Sequence, residues 1–347
     1  MSIPFWKPPA VHYPGSLPAA ADVLVIGGGI TGVSLLHHLG RRGVSAVLVE
    51  RSHLAAGASG RNAGFLLAGV ADNYSHAVIT FGRSEAREIW ALTNENHDRV
   101  IEAVGSADVG HRRLGSLTLA ASDSEAKALE ESCELLREDG FDATWDGHGL
   151  LNPRDGEVYP SRLVEALASG TILEGVNVTA IDGTTVHADG GECEAGIVIL
   201  ATNGYTSQLV PSVEIQPTRA QMLATSPARE KVCERPTYSH FGYRYWRQMP
   251  SGELLVGGWR DSSRETEMTA VSEPTPEIQA RLEGKARELA PGAEVTHRWA
   301  GIMGFTKSGL PMVGPVEGMK NVYVCAGYNG HGMGFAFMSA KRLVDSL

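Results

Sequence analysis

Cysteine is scarce in this chain, and its few copies do not cluster. Cys133, Cys193, Cys233 and Cys325 form no CxxC pair and show no metal-like spacing, so neither a disulfide framework nor a zinc module organises the fold. Four reduced, mostly buried thiols of a cytosolic protein are expected. The twelve histidines contain no HExxH pattern, and no metal site is expected. Positive charge is also short: 30 Lys and Arg stand against 40 Asp and Glu, a formal net charge of −10. Nucleic-acid binders usually present a basic face, so no nucleic-acid partner is expected. No apolar run approaches the roughly 18 to 20 residues that span a bilayer. Met1 to Ala20, rich in proline and aromatic residues, lacks the basic-then-apolar order of a signal peptide. A soluble, cytoplasmic protein is the default.

What is present is length and glycine. A chain of 347 residues exceeds one ordinary core, so two domains are expected. The 41 glycines follow no period, which suggests tight turns and close backbone approaches to a ligand.

The glycines are most informative after Asp22. Val23 to Ile26 are continuously apolar, as in a parallel strand covered on both faces, and Gly27, Gly29 and Gly32 follow at G-x-G-x-x-G spacing. The first permits the tight turn, the second lets a pyrophosphate reach the backbone, and the third lets a helix pack on the strand. That helix, from Thr31 to about Arg42, points its N-terminus at the phosphates, with Ile30 and Thr31 in its first turn. A second strand, Ala46 to Val49, ends in Glu50, placed to accept hydrogen bonds from a ribose diol; Arg51 follows it. The order strand, turn, helix, strand and acid makes a Rossmann-type dinucleotide site. Glu50 favours an unphosphorylated ribose, so FAD or NAD.

The run Ala56-Gly-Ala-Ser-Gly-Arg-Asn-Ala-Gly64 separates these two. An ordinary NAD domain would continue into another helix. Here a small, polar stretch offers backbone N–H groups and the side chains of Ser59, Arg61 and Asn62, with Gly60, Ala63 and Gly64 between them, to a second set of phosphate and ring heteroatoms. Near the other end, the strand Val322 to Ala326 enters Gly327-Tyr-Asn-Gly-His-Gly-Met-Gly334 and then a helix, Met333 to about Val344. A second helix N-terminus at Gly330, His331, Gly332 and Met333 would face an electron-rich target. Two such starts at opposite ends of one chain suit a long, bipartite cofactor.

On these blocks the sequence resembles the FAD-dependent amino-acid and amine oxidoreductases, which include D-amino-acid, glycine and sarcosine oxidases and γ-glutamylputrescine oxidoreductase. The G-G-G-I-T-G and G-A-S-G-R-N-A-G blocks are most like the last. The resemblance covers nearly the whole chain and implies a Rossmann-type α/β FAD domain, α+β overall, with an interleaved antiparallel-sheet substrate domain. Residues 1–72, 147–215 and 294–347 would form the first, and 73–146 and 216–293 the second. In the second, helices over Ser84–Val104, Ser124–Glu138 and Thr275–Leu289 are expected.

The resemblance also implies contacts. Ala201, Thr202 and Asn203 end a buried strand near the cofactor, Gly301 belongs to the segment beside the flavin, and Val178 touches the adenine. Between Ala168 and Val178 the family's helix and strand look compressed into 169–177, which would trim or loosen that end. Where amino-acid-specific members carry an arginine, this chain has Met303, which favours an amine, or an amine with a more distant acid group. Arg244, Arg247 and Arg260 are candidates for such an acid, each weighed against a solvated strand-edge charge. Lys307 near the covalent-flavin cysteine position implies noncovalent FAD, and Leu255 stands where some oxidases place a lysine. Tyr243, Tyr245 and Trp259 are candidate pocket aromatics. No catalytic residue is assigned, because the cofactor carries the hard step.

The expected activity is hydride transfer to FAD from carbon in the C–N bond of a small amine, with oxygen or another acceptor taking the electrons. An NAD-dependent dehydrogenase and a catalytically silent flavin-binding subunit remain as alternatives.

Overall fold

A computed structural model describes residues 2–347. Two eight-stranded sheets carry the fold. The first is centred on Ala20–Ile26. Val23 and Val25 enter the core on its helical face, while Leu24 and Ile26 enter the core on the other. Burial on both sides explains why this strand reads as an unbroken apolar run. It pairs in parallel with Ala46–Glu50 and with Gly191–Leu200, placing Val25 opposite Leu48 and Ile199. Thr171–Glu174 and Val322–Ala326 extend the parallel array at either side, and Met312–Pro315 adds an antiparallel edge. A meander, Val178–Asp182 and Thr185–Ala188, hangs on the early part of Gly191–Leu200.

The sequence reading of 169–177 is corrected here. That stretch contains Thr171–Glu174, a full parallel neighbour of Ala46–Glu50, with Glu174 opposite Glu50. Three residues, 168–170, join this strand to helix Pro160–Leu167, and a strand of four residues between two turns leaves little periodicity, which is why the segment looked compressed.

Helices Ile30–Arg41 and Gly332–Ser346 pack on each other against the first sheet. Arg83–Val104 packs on the latter, so it serves the same core, although the sequence placed it with the substrate unit. An additional helix, Tyr74–Phe81, precedes it.

The second sheet runs Val295–Phe305, Gln216–Pro227, Glu253–Gly258, Arg244–Gln248, Thr237–Ser239, Ser116–Leu119, Gly149–Asn152 and Thr144–Trp145. All neighbours are antiparallel except Thr237–Ser239 with Ser116–Leu119. Helix Pro276–Leu289 covers one face through Ile278, Leu282 and Ala286 on Leu223, Trp246 and Val256. The opposite face packs Met222, Leu255 and Trp299 on Trp6, Ala63 and Phe65. The two sheets are interleaved in sequence. Their borders differ from the expected ones, because Gly149–Asn152 and Val295–Phe305 pair in the second sheet. Short or amphipathic strands do not announce which sheet they join; only the distant pairing partner decides.

Candidate functional site

Residues of both sheets line a cavity of about 990 Å³, at the upper end of small-molecule sites and roomy enough for a long ligand. One wall is the glycine turn. Gly27 adopts φ +115°, and a Cβ there would lie 2.8 Å from the Ala201 carbonyl oxygen. A Cβ on Gly32 would collide with the Gly27 carbonyl and approach Leu48. Gly32 therefore serves helix–strand packing as expected and does not line the cavity. At the strand end, Glu50 accepts from the backbone N–H groups of Gly28 (2.8 Å) and Ser52 (2.9 Å). A carboxylate accepts about four hydrogen bonds, so Glu50 is oriented by the turn and keeps capacity for a diol. Arg51 lies 4.3 Å over the Tyr205 ring.

The side chains of the stretch after Glu50 also make bonds within the protein. Ser59 Oγ accepts from the Ile30 N–H at 2.9 Å, capping the first helix. Arg61 donates to the Ala56 and Ala300 carbonyls, at 2.8 and 3.0 Å. Asn62 Nδ2 donates to the carbonyls of Ala58 and Ser59, and its Oδ1 accepts from the Gly64 N–H. Ser59, Arg61, Asn62 and Ala63 all line the cavity, and the bonds within the loop shape it while the Ser59 O–H and Arg61 Nη2 keep donor capacity. Gly60 and Gly64 lie behind it, Gly60 against Ala55 and Gly64 against Val158. Trp6, 3% exposed, donates its indole N–H to the Asn62 carbonyl at 2.7 Å, so the N-terminal segment straps this loop.

The opposite wall carries the second glycine turn. Gly330, His331, Gly332 and Met333 all line the cavity, as do Gly301, Met303, Val178, Ala201, Thr202 and Asn203. His331 Nδ1 donates to the Gly69 carbonyl at 3.2 Å, leaving Nε2 as an acceptor, and burial lowers its pKa to about 4. It is neutral at pH 7 and stacks with Tyr238 at 6.4 Å. Thr31 Oγ1 donates to the Tyr328 hydroxyl at 3.0 Å, joining the first helix to the last turn.

Both helix starts are suited to an anionic or electron-rich ligand. Neither Gly29 nor His331 caps its helix with a side chain, and neither first turn holds an acid. Of the first-turn N–H groups, Ile30 donates to Ser59 and Gly334 to the His331 carbonyl, which leaves Thr31 at the first start and Gly332 and Met333 at the second to face a ligand. A cradle in which Cβ atoms do not fit, two acid-free positive helix ends and a carboxylate held at the strand tip match the diphosphate, ribose and ring of FAD.

Of the candidate pocket side chains, Tyr243, Tyr245, Met303, Lys307 and His331 line the cavity. Burial pushes the Tyr245 hydroxyl up to about 12. Lys307 is exposed at the rim and pairs with Glu214. Trp259 does not line it: its backbone is left-handed, φ +65°, and its ring turns away beneath the Arg244 guanidinium at 4.6 Å. Leu255 is fully buried in the core behind. The three arginines divide. Arg244 pairs with Asp261, and Arg247 is 1% exposed against Glu157, at 3.0 Å, so neither is a solvated strand-edge charge. Arg260 lines the cavity.

Asp155 escaped the sequence reading. It is 3% exposed, lines the cavity, and accepts from the Ala68 N–H at 2.9 Å and the Ser116 hydroxyl at 2.6 Å. Burial raises its pKa to about 7. Its Asn-Pro-Arg-Asp-Gly surroundings read as a surface turn, and nothing local signals the burial. Among the described residues, no group of three or more His, Cys, Asp or Glu is placed to hold a metal ion, and no helix is long and apolar enough to cross a membrane. Cys133, Cys193 and Cys325 are buried and Cys233 partly so, all as free thiols.

Comparison with known proteins agrees with this geometry. The family model described as FAD dependent oxidoreductase matches residues 22–346. The chain is similar to a probable oxidoreductase, OrdL, of Rhizobium meliloti (strain 1021), 27% identical over 380 residues, covering 96% of this chain and 83% of that one. It is also similar to gamma-glutamylputrescine oxidoreductase of Escherichia coli (strain K12), 25% identical, covering 94% and 83%. The crystal structure of glycine oxidase from Geobacillus kaustophilus superposes with a TM-score of 0.77 at 20% identity, covering 95% of each chain, a likeness of fold.

Proposed function

The chain belongs to the FAD-dependent oxidoreductase family, and from that membership we propose that it oxidises the C–N bond of a small amine or amino-acid-like molecule, with FAD held noncovalently. One observation carries the reading. Two helix starts without an acid in the first turn, from residues 30 and 332, face a single cavity that also reaches the second sheet. The FAD-holding groups are the turn Gly27–Gly29, the first-turn N–H group of Thr31, Glu50, and the Gly330–Met333 turn. When bound, FAD accepts the hydride that leaves the nitrogen-bearing carbon.

The protein's own residues then orient and shield. Neutral His331 adds no positive charge beside the ring site, and its free Nε2 accepts a hydrogen bond. Tyr238, Tyr243 and Tyr245 wall the space above with surfaces that exclude water and suit the carbon skeleton of an amine. Met303, in the segment beside the flavin, provides no cation for an acid group adjacent to the reacting carbon. The amine named in the Escherichia coli relative supports the substrate class. Free thiols fit a cytoplasmic, reducing compartment.

The test is anaerobic. Purified, flavin-loaded protein is mixed with amines, polyamines and N-methyl amino acids, and loss of the oxidised flavin's visible absorbance is followed. At least one class should bleach it rapidly. Reduction by none would overturn the amine reading and leave a catalytically silent flavoprotein. Repeating the productive reaction in oxygen and measuring peroxide separates oxidase from dehydrogenase.

A further inference from the structure

We propose that Arg260 selects the substrate by binding a carboxylate several bonds away from the oxidised C–N bond. This rests on the amine-oxidising reading above and narrows it to amines bearing a remote acid. Arg260 is half-buried in the cavity wall. Its guanidinium is fixed between two rings, with Cζ 4.6 Å from the Tyr243 centroid and 4.8 Å from that of Phe305. Stacking on ring faces holds the plane and leaves the edge N–H groups free to grip a carboxylate in a forked pair.

No carboxylate of the protein takes that role among the described residues. Adjacent Asp261 accepts from both terminal nitrogens of Arg244. The other cations of the cavity are engaged or elsewhere: Arg61 donates to backbone carbonyls, Lys307 pairs with Glu214 at the rim, and Arg51 lies over Tyr205 beside Glu50.

The backbone is bent to deliver this side chain. Strand Glu253–Gly258 ends in two consecutive residues of positive φ, Gly258 at +116° and Trp259 at +65°. A tryptophan rarely adopts that conformation, and such strain persists where the surroundings enforce it, often at ligand sites. Here it turns the Trp259 ring outwards onto Arg244 and places Arg260 on the cavity.

Position along Val295–Phe305 sets the reach. Met303 and Phe305 lie two residues apart on one face of this strand and both line the cavity, a spacing of ~7 Å. A carboxylate held over Phe305 is therefore displaced by one pleat repeat from one held at Met303. A carboxylate there lies beyond the reach of an α-amino acid, in which only two bonds separate the nitrogen from the carboxyl carbon. The substrate class is an amine whose carboxylate is three or more carbons from the nitrogen.

Two measurements on flavin-loaded wild type, Arg260→Gln and Arg260→Lys test this. First, 4-(methylamino)butanoate, its methyl ester and N-methylglycine are compared as anaerobic reductants. Wild type should prefer the acid to its ester, and Arg260→Gln should cut that preference on the order of 30-fold, the value of a charged hydrogen-bonded pair, with Arg260→Lys between. Second, glutarate, which cannot be oxidised, is titrated while the flavin spectrum is recorded. Glutarate should perturb it in wild type, with a Kd raised on the order of 30-fold in Arg260→Gln. An acid preference and a glutarate Kd that are unchanged in Arg260→Gln would overturn the assignment while leaving amine oxidation intact. Stronger reduction by N-methylglycine than by the longer acid would also overturn it. If no amine reduces the flavin but glutarate binding depends on Arg260, the oxidation reading has failed and the carboxylate site stands.

Discussion

Arg247 Nε stands 3.0 Å from Glu157 Oε2, with both side chains 1% exposed. The same guanidinium donates to the carbonyls of Ala63, Gly64 and Val158 at 3.0 to 3.2 Å. It fastens the second sheet to the loop that walls the cofactor site. Burial lowers its pKa to about 10, still far above neutrality, so Arg247 keeps its charge at neutral pH. Glu157 also pairs with Arg112, so removing Arg247 leaves that carboxylate a partner but strands the three carbonyls. Arg247→Ala should cost about 1–3 kcal/mol, seen as a lower apparent melting temperature with reduced flavin content after purification. A variant with unaltered melting and full flavin would show that the link contributes nothing.

Gly32→Val places side-chain atoms where even a Cβ meets the Gly27 carbonyl. The helix must move off the strand, and the first-turn N–H groups move with it. The expected product is apoprotein, read as the ratio of flavin to protein absorbance. Gly284→Ala, at an exposed helix position with no atom within 4 Å of the new Cβ, is the control and should keep its flavin. Equal flavin content in the two variants would contradict the packing role.

Acid should act on the stability of this protein in two opposing directions. Burial holds His38 and His331 down to about 4 and His97 to about 3. Unfolding lets them bind protons near their ordinary 6.5, so their contribution to stability is lost as pH falls from 6.5 towards 4. Asp155, raised to about 7, works the other way. Between pH 7 and 4 its folded form holds a proton that the unfolded form releases, so it stabilises increasingly as pH falls, by at most on the order of 4 kcal/mol. Asp155→Asn removes that offset. Its melting temperature, measured from pH 8 to 4.5 with FAD in fixed excess, should fall more steeply with acid than that of the wild type. Parallel curves would contradict the raised carboxyl.

Met303→Arg introduces a cation on the strand face where an acid group next to the reacting carbon would lie. The expected change is a rise of about tenfold in kcat/KM for N-methylglycine relative to N-methylbutylamine, the effect of one modest charged hydrogen bond. No change in that ratio would remove Met303 from the substrate-facing wall.

How much of this could be read beforehand follows from the range of the forces involved. Gly27, Gly29, Gly32 and Glu50 were legible because turn dihedrals, helix starts and strand ends are set within a few residues. The turn Gly330–Met333 was legible for the same reason. Ser59, Arg61 and Asn62 were found on the cavity, but their protein partners were not legible: Ile30 N–H, the Ala300 carbonyl and the loop's own backbone arrive through folding. Arg247 looked like a solvated strand charge because its balancing Glu157 is 90 residues away in sequence. Trp259 was a candidate for the pocket as an aromatic of the second sheet, and the positive φ at Gly258 and Trp259, which turns its ring away, is not legible in the sequence. Asp155 sat in a motif indistinguishable from an exposed turn. Local geometry was readable; which distant group satisfies a polar side chain was not.

The pairing of helix Ile30–Arg41 with helix Gly332–Ser346 has a consequence for biosynthesis. The two halves of the cofactor cradle leave the ribosome about 300 residues apart, and Val322–Ala326 must add to the sheet before the second half is positioned. A nascent chain emerging with its glycine turn already formed has only one jaw of the clamp. Cofactor capture therefore waits for both turns to be made, and helix Gly332–Ser346 closes the clamp that the first turn opens.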